Sequence, residues 1–172
     1  MEDVKTFFAA MIEQWPLPDF LTVILLGAFP IVELRGAIPL AFAGYGFSAP
    51  VAFGLAVLGN ALVPLAAMPL LGTVSARLSE RFPAAERFFT WLFTRTRRNH
   101  EKSFEKWKEF ALVIFVAIPL PFTGAWTASL VAFVFGIPLR KAFLLIGIGA
   151  IIAGAIVTAA TLGVINAWVF FL

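Results

Sequence analysis

The chain has 172 residues, of which 61% are hydrophobic and only 13% charged, with a formal net charge of +3. Soluble domains run near half apolar and about a quarter charged, so this balance excludes an ordinary soluble globule and predicts an all-α integral membrane protein of one domain. The absence of cysteine excludes disulfides, thiol nucleophiles and thiolate metal sites. The single histidine, His100, falls in the most charged stretch and reads as a solvated loop residue, and no cluster of His, Asp and Glu has metal-ligand spacing.

The first segment, residues 1–18, places Val4, Phe7, Phe8, Met11, Ile12 and Trp15 at helical spacing and ends at Pro16 and Pro18. This predicts an amphipathic helix lying in the membrane interface. The acidic start, Met1-Glu2-Asp3, lacks the basic residues and small-residue cleavage site of a signal peptide.

Four charge-poor stretches follow. Two read as plain spans, Pro50 to Leu71 and Ala142 to Gly163, each long enough to cross a hydrocarbon layer that needs about 20 helical residues. The other two are interrupted. Phe20 to Phe29 makes about 15 Å of helix, half the hydrocarbon thickness. Pro30-Ile31-Val32-Glu33-Leu34-Arg35-Gly36-Ala37-Ile38-Pro39 then brings two prolines, a glycine and a charge pair, and Ala37 to Phe47 runs on to the turn at Ser48-Ala49-Pro50. The second stretch has the same plan. Phe110 to Ile118 leads to a break at Pro119-Leu120-Pro121-Phe122-Thr123-Gly124, Ala125 to Phe135 leads away, and Gly136-Ile137-Pro138 turns the chain. Half-length limbs around a Pro/Gly break predict re-entrant hairpins, whose open backbone must be covered by protein or water.

A shift of 88 brings Gly36-Ala37 onto Gly124-Ala125, Phe47 onto Phe135, Pro50 onto Pro138 and Gly59 onto Gly147. The chain therefore reads as two repeats, 19–72 and 109–172, each a re-entrant hairpin plus one transmembrane helix, joined by a basic connector over 73–108. One span per repeat is an odd number of crossings, so the second copy enters from the opposite face and the repeats are inverted. The two broken tips are then expected near the midplane, where many transporters bind substrate.

Nine of the 13 Lys and Arg lie between Thr73 and Lys108, so the positive-inside rule makes that connector cytoplasmic in a multi-pass protein of the inner or plasma membrane. Hairpins that turn back put Arg140 and Lys141 on the same side; a rival arrangement of four full crossings puts them outside. Pro83 divides the connector. Its Phe88, Phe89, Trp91, Leu92 and Phe93 can enter the interface while Arg95, Arg97 and Arg98 meet anionic headgroups, or the segment can be a solvated linker. The placement of basic residues beside apolar spans argues for membrane lipids as partners and against nucleic acid.

Glu33 and Arg35 carry the strongest functional signal, because charges at bilayer depth are costly and usually paired. Glu33 can exchange a proton, and the planar fork of Arg35 suits phosphate or carboxylate. Their bland role is to neutralise one another and hold broken backbone. In the second hairpin, the hydroxyls of Thr123, Thr127 and Ser129 and the freed backbone N–H groups could hydrogen-bond an anion at the start of a half-helix, or the hydroxyls could satisfy carbonyls left open by prolines, while Trp126 reads either as a lid or as packing. Asn60, mid-span, could bind the tip of the opposite hairpin or cap a helix contact. Gly147, Gly149 and Gly154 point to close helix packing and, as the lesser reading, a homodimer face. No phosphate-binding loop, dinucleotide fingerprint or Ser/His/Asp set is present, so an ATP-hydrolysing or other enzymatic role is not expected and no cofactor or metal is called for.

The run Pro30 to Pro39, with its E-x-R-G-x-x-P core, resembles the small multidrug export family of prokaryotic membrane proteins, and Pro119-Leu120-Pro121-Phe122-Thr123-Gly124-Ala125-Trp126-Thr127 resembles that family's second motif. The likeness runs from about Leu21 to near the end. That family is distantly similar to the DedA superfamily, also called SNARE-associated or VTT proteins. This resemblance implies facing re-entrant hairpins, translocation of lipids including carrier lipid phosphates such as undecaprenyl phosphate, and a link to the proton gradient, with Glu33 as the acid of the first hairpin. DedA proteins usually carry arginines around the second proline motif, whereas Phe110 to Leu139 has none; Arg35 or Arg140 would have to stand in.

The expected function is a transporter of an amphipathic anion, a lipid phosphate being the leading substrate, with protons as the candidate coupling ion. The expected site comprises Glu33, Arg35, Gly36, Pro30 and Pro39 in the first hairpin and Pro119, Pro121, Thr123, Gly124, Trp126 and Thr127 in the second, supported by Asn60, Ser129 and Arg140. The alternatives are a proton-coupled exporter of small cationic drugs, which Arg35 would repel, and a non-transporting membrane scaffold that works through the basic connector.

Overall fold

A computed structural model describes residues 17–107, 110–119 and 123–171, with side chains described outside 99–107 and 165–171. The N-terminal helix expected over 1–18 lies almost entirely outside the described residues, as do Leu120, Pro121 and Phe122 in the second break.

The described residues are all helical. Seven helices run in the order α1 (Asp19–Ala28), α2 (Glu33–Ala43), α3 (Ala49–Arg81), α4 (Pro83–Trp107), α5 (Phe110–Ala117), α6 (Ala125–Val134) and α7 (Leu139–Phe171). Helix α1 stops where Pro30 dictates. A residue before proline is pushed out of the helical region, and Phe29 is extended, at φ −75° and ψ 131°. Helix α2 retains Pro39 in its interior. The break is therefore confined to residues 29–32, shorter than the Pro30-to-Pro39 run suggested. Glu33, Arg35 and Gly36 sit in the first turn of α2 instead of in open backbone. Pro39 withholds only the N–H that would have reached the carbonyl of Arg35.

Helices α3 and α7 have 33 residues each, about 50 Å at the helical rise. Ala49–Arg81 and the Leu139–Val164 part of α7 are long and apolar enough to cross a membrane. Both turn large aliphatic side chains outward: Leu58, Leu62, Leu65 and Leu70 on α3, and Leu144, Ile148, Ile151, Ile152 and Ile156 on α7. Aliphatic surface of this extent suits lipid, not water. The first span expected to end near Leu71 continues as one helix to Arg81, through Pro64 and Pro69. Pro83 then opens α4, so the connector is divided at Pro83 as expected, with its first part belonging to α3.

The described residues form two compact units, one reaching to Ala61 and resuming at Ala150, the other Leu62–Gly149. The first holds α1, α2, the start of α3 and the later part of α7. Its short helices α1 and α2 pack side by side, and α1 lies directly against the backbone of α3. A Cβ on Gly27 would meet the Ala56 carbonyl oxygen, and a Cβ on Gly59 would meet the Ile24 carbonyl oxygen. A glycine on each helix is thus what lets the two backbones touch. Gly154 of α7 packs against Phe53 and Val57.

The second unit holds the end of α3, helices α4 to α6 and the start of α7. Helices α5 and α6 pack on one another and on α4. Phe93 of α4 meets Phe133 of α6 with ring centroids 5.5 Å apart, and Gly72 of α3 faces the same Phe133. A Cβ on Gly149 of α7 would strike Val116 and the Val113 carbonyl of α5. The order short helix, break, short helix, turn, 33-residue helix therefore occurs twice, and each long helix has a glycine backed onto the first short helix of its own set. That contact aligns Gly59 with Gly149, two places beyond the Gly147 chosen by the 88-residue shift. The turns agree: Gly46 and Gly136 adopt positive φ, 70° and 68°, the left-handed conformation that ends helices at glycine.

Candidate functional site in the first hairpin

Elementary constraints build this site from the break outward. The amide of Glu33 donates to the Phe29 carbonyl at 3.0 Å and that of Gly36 to the Val32 carbonyl at 3.0 Å. Closing this short turn forces Glu33 to φ 47°, the one non-glycine residue with positive φ among those described. A side chain in that region costs about 1–2 kcal/mol relative to ordinary helix. Strain of this kind collects where a side chain must be aimed. At Gly36 a Cβ would fall 2.5 Å from Val32 Cγ1, so glycine is what allows the valine of the break to fold over the first turn of α2.

The strained turn delivers an ion pair. Arg35 Nη2 donates to Glu33 Oε2 at 3.3 Å. The contact is longer than the roughly 2.7–2.9 Å of a tight charge-assisted bond. The two partners differ in access: the Glu33 side chain is 9% exposed and that of Arg35 33%. Glu33 also stands at the N-terminal end of α2, where a negative charge meets the positive end of the helix dipole.

The position of the break along α3 is set by a hydrogen bond. Asn60, 1% exposed, donates from Nδ2 to the Gly27 carbonyl at 3.1 Å. Gly27 is the second-last residue of α1, so its carbonyl is one that the helix leaves open. Of the two roles expected for Asn60, this bond is the cap of a helix contact, made to the end of α1. The break thus begins beside a residue 11 positions after Ala49 in α3, about 17 Å along that helix.

In the second hairpin the end of α5 lies beside Gly149, similarly far along α7. Two of the hydroxyls there, those of Thr123 and Ser129, bond local carbonyls, one of the two roles expected for them. Thr123 Oγ1 donates to the Ile118 carbonyl at 2.9 Å across the break. Ser129, fully buried, donates to the Ala125 carbonyl one turn back. Both therefore satisfy carbonyls, the first that of the residue just past the end of α5. Gly124 is extended at φ 165° and precedes α6. Trp126 and Thr127 sit half-buried in the first turn of α6, and neither is without a partner. Arg140 is exposed on the first turn of α7. Pro119 lies at the end of the described segment before the break, while Pro121 falls outside the described residues. The structure thus joins Glu33, Arg35, Gly36 and the turn containing Pro30 into one cluster, with Asn60 holding the end of α1 that leads into it. Sequence reading missed Gly27 and the strain at Glu33. A glycine near the end of an apolar half-helix was the available signal for the first; nothing in composition marks the second.

A family model described as "Putative small multi-drug export protein" matches residues 33–156, most of the chain, and its matched region begins at Glu33. No curated protein and no solved structure matches.

Proposed function

Since the chain belongs to the small multi-drug export protein family, a family of membrane transporters by its description, we propose that it moves an amphipathic anion, with a lipid phosphate such as a polyprenyl phosphate as the leading candidate. The observation that carries this reading is the asymmetry of the Arg35–Glu33 pair: the buried member is the acid and the accessible member is the guanidinium. A ligand approaching the pair meets a planar cation suited to phosphate, and a cationic drug meets repulsion.

In this reading α3 and α7 cross the bilayer and the two hairpins turn back halfway, as inverted repeats. The support is the position of Asn60, about halfway through a hydrocarbon layer of about 30 Å measured from the start of α3, and the matching position of Gly149 against α5. Glu33 and Arg35 then act as a proton-gated anion site. While Glu33 is ionised it occupies Arg35 and the N-terminal end of α2. When Glu33 takes up a proton, its charge no longer competes with a phosphate for the guanidinium and the helix end. Anion binding and proton binding favour each other, which is the linkage a proton-coupled carrier requires.

The test is reconstitution in liposomes with a labelled polyprenyl phosphate. Transport by the native chain, lost in Arg35→Ala and uncoupled from the pH gradient in Glu33→Gln, supports the proposal. Equal rates for all three overturn it. The second reading, a proton/drug antiporter working through Glu33, is favoured by the family description itself. Transport of a small lipophilic cation that survives Arg35→Ala and fails in Glu33→Gln would select it.

A further inference from the structure

Helix α4 has two unlike faces, and only one is spent on the fold. Phe93 and Thr96 face inward, Phe93 on Phe133 and Thr96 buried, and Arg97 lies over the Phe135 ring at 5.8 Å. The opposite stripe, at helical spacing, lines an open groove of about 860 Å³ with Glu86, Arg87, Trp91, Thr94, Arg95 and Arg98. Its charge is that of three arginines against one glutamate. Arg95 is held over the Trp91 ring at 5.3 Å, a cation–π contact that fixes its stem while leaving guanidinium donors at the edge. Phe82, Phe88 and Trp91 are each more than half exposed. Helix α4 starts two residues after α3 ends, and α3 carries no charge from Ala49 to Ala76. A helix leaving the bilayer there delivers α4 directly to the headgroup layer, where exposed aromatic rings and basic side chains are favourable together.

We propose that this arginine stripe of α4 is a binding site for the phosphate of an anionic phospholipid headgroup, gripped by Arg87, Arg95 and Arg98, with Trp91 as the fixed platform under Arg95. The site is separate from the Glu33–Arg35 pair and does not depend on what the protein transports. Its occupant is a lipid because the groove opens beside exposed aromatic side chains that a soluble phosphate would leave in water.

The experiment is native mass spectrometry of the full chain, delipidated in mild detergent and titrated with phosphatidylglycerol or phosphatidylcholine. The native chain is expected to retain phosphatidylglycerol selectively. Each of Arg87→Gln, Arg95→Gln and Arg98→Gln is expected to weaken retention about fivefold, and Trp91→Ala to weaken it less. Arg81→Gln, a basic exposed position off the stripe, should leave it unchanged. The three arginines are exposed, so the variants should keep the melting temperature of the native chain; Arg95→Lys, which keeps charge and loses the fork, should fall between native and Gln. Equal retention by the native chain and the triple glutamine variant overturns the proposal, as does an equal loss in Arg81→Gln. Displacement of the lipid by millimolar inorganic phosphate also overturns it, by showing a site for the free ion.

Discussion

The side-chain amide of Asn60 holds the carbonyl of Gly27 at 3.1 Å in a fully buried contact. The bond joins the middle of a long apolar helix to the end of a short one. It replaces a donor that the end of α1 cannot supply for itself, and it fixes where along α3 the first limb ends. Asn60→Leu keeps the volume and removes the donor. The expected loss is about 1–2 kcal/mol, the cost of an unmet buried carbonyl moderated by the modest worth of such bonds between membrane helices. Thermal or SDS-induced unfolding of the purified protein measures it.

The glycines divide by what their Cβ would meet. Gly27 and Gly59 each abut the backbone of the facing helix, while Gly54 and Gly163 have open space. Gly59→Ala and Gly27→Ala should each destabilise the protein by about 1–3 kcal/mol, the usual range for overpacking. Gly54→Ala and Gly163→Ala should be neutral or slightly stabilising, because alanine is the better helix former. Parallel unfolding curves for the four variants decide this.

Much of this architecture was legible from the residues. Pro30 and Pro119 marked the ends of α1 and α5 because proline denies helix to the residue before it, and the half-length limbs followed from counting. The paired charges at Glu33 and Arg35 stood out because little else in that stretch is polar. Three things were not legible. Pro39 passes as a helix residue because a proline in an otherwise complete helix removes a single bond, and neighbouring packing decides whether the helix survives. The glycine that backs onto α5 lies two places beyond the one the 88-residue shift chose, because Gly147 and Gly149 look alike as residues and the contact of Gly149 with Val113 and Val116 belongs to the packing. The roles of Thr123 and Ser129 depended on which carbonyls the breaks expose.

The positive φ at Glu33 separates stability from function. Glycine accepts φ 47° without penalty, alanine does not. Glu33→Gly should therefore unfold later than Glu33→Ala by about 1–2 kcal/mol, while both should lose the proton coupling proposed for this site. If Glu33→Ala proves the more stable, the backbone at this position is not strained.

The turns before α3 and α7 should respond alike. Gly46 and Gly136 have φ of 70° and 68° with open space around them, so an added side chain meets a conformational cost and no clash. Gly46→Ala and Gly136→Ala should each cost about 1–2 kcal/mol in the same unfolding assay. A large effect at one and none at the other would show that the two turns are not equivalent parts of a repeat.

The claim most directly open to test is that the second hairpin turns back inside the bilayer. Single cysteines at Ser48 and Pro138 report on it directly, since both positions are exposed and the chain has no cysteine of its own. Hairpins that turn back put the two positions on opposite faces of the membrane, so a membrane-impermeant maleimide applied to intact cells should label Ser48→Cys, with Pro138→Cys reacting only after the membrane is opened. Labelling of both from the same side would mean that α5 and α6 together cross the bilayer, and the half-depth site built on Glu33 and Arg35 would lose its counterpart.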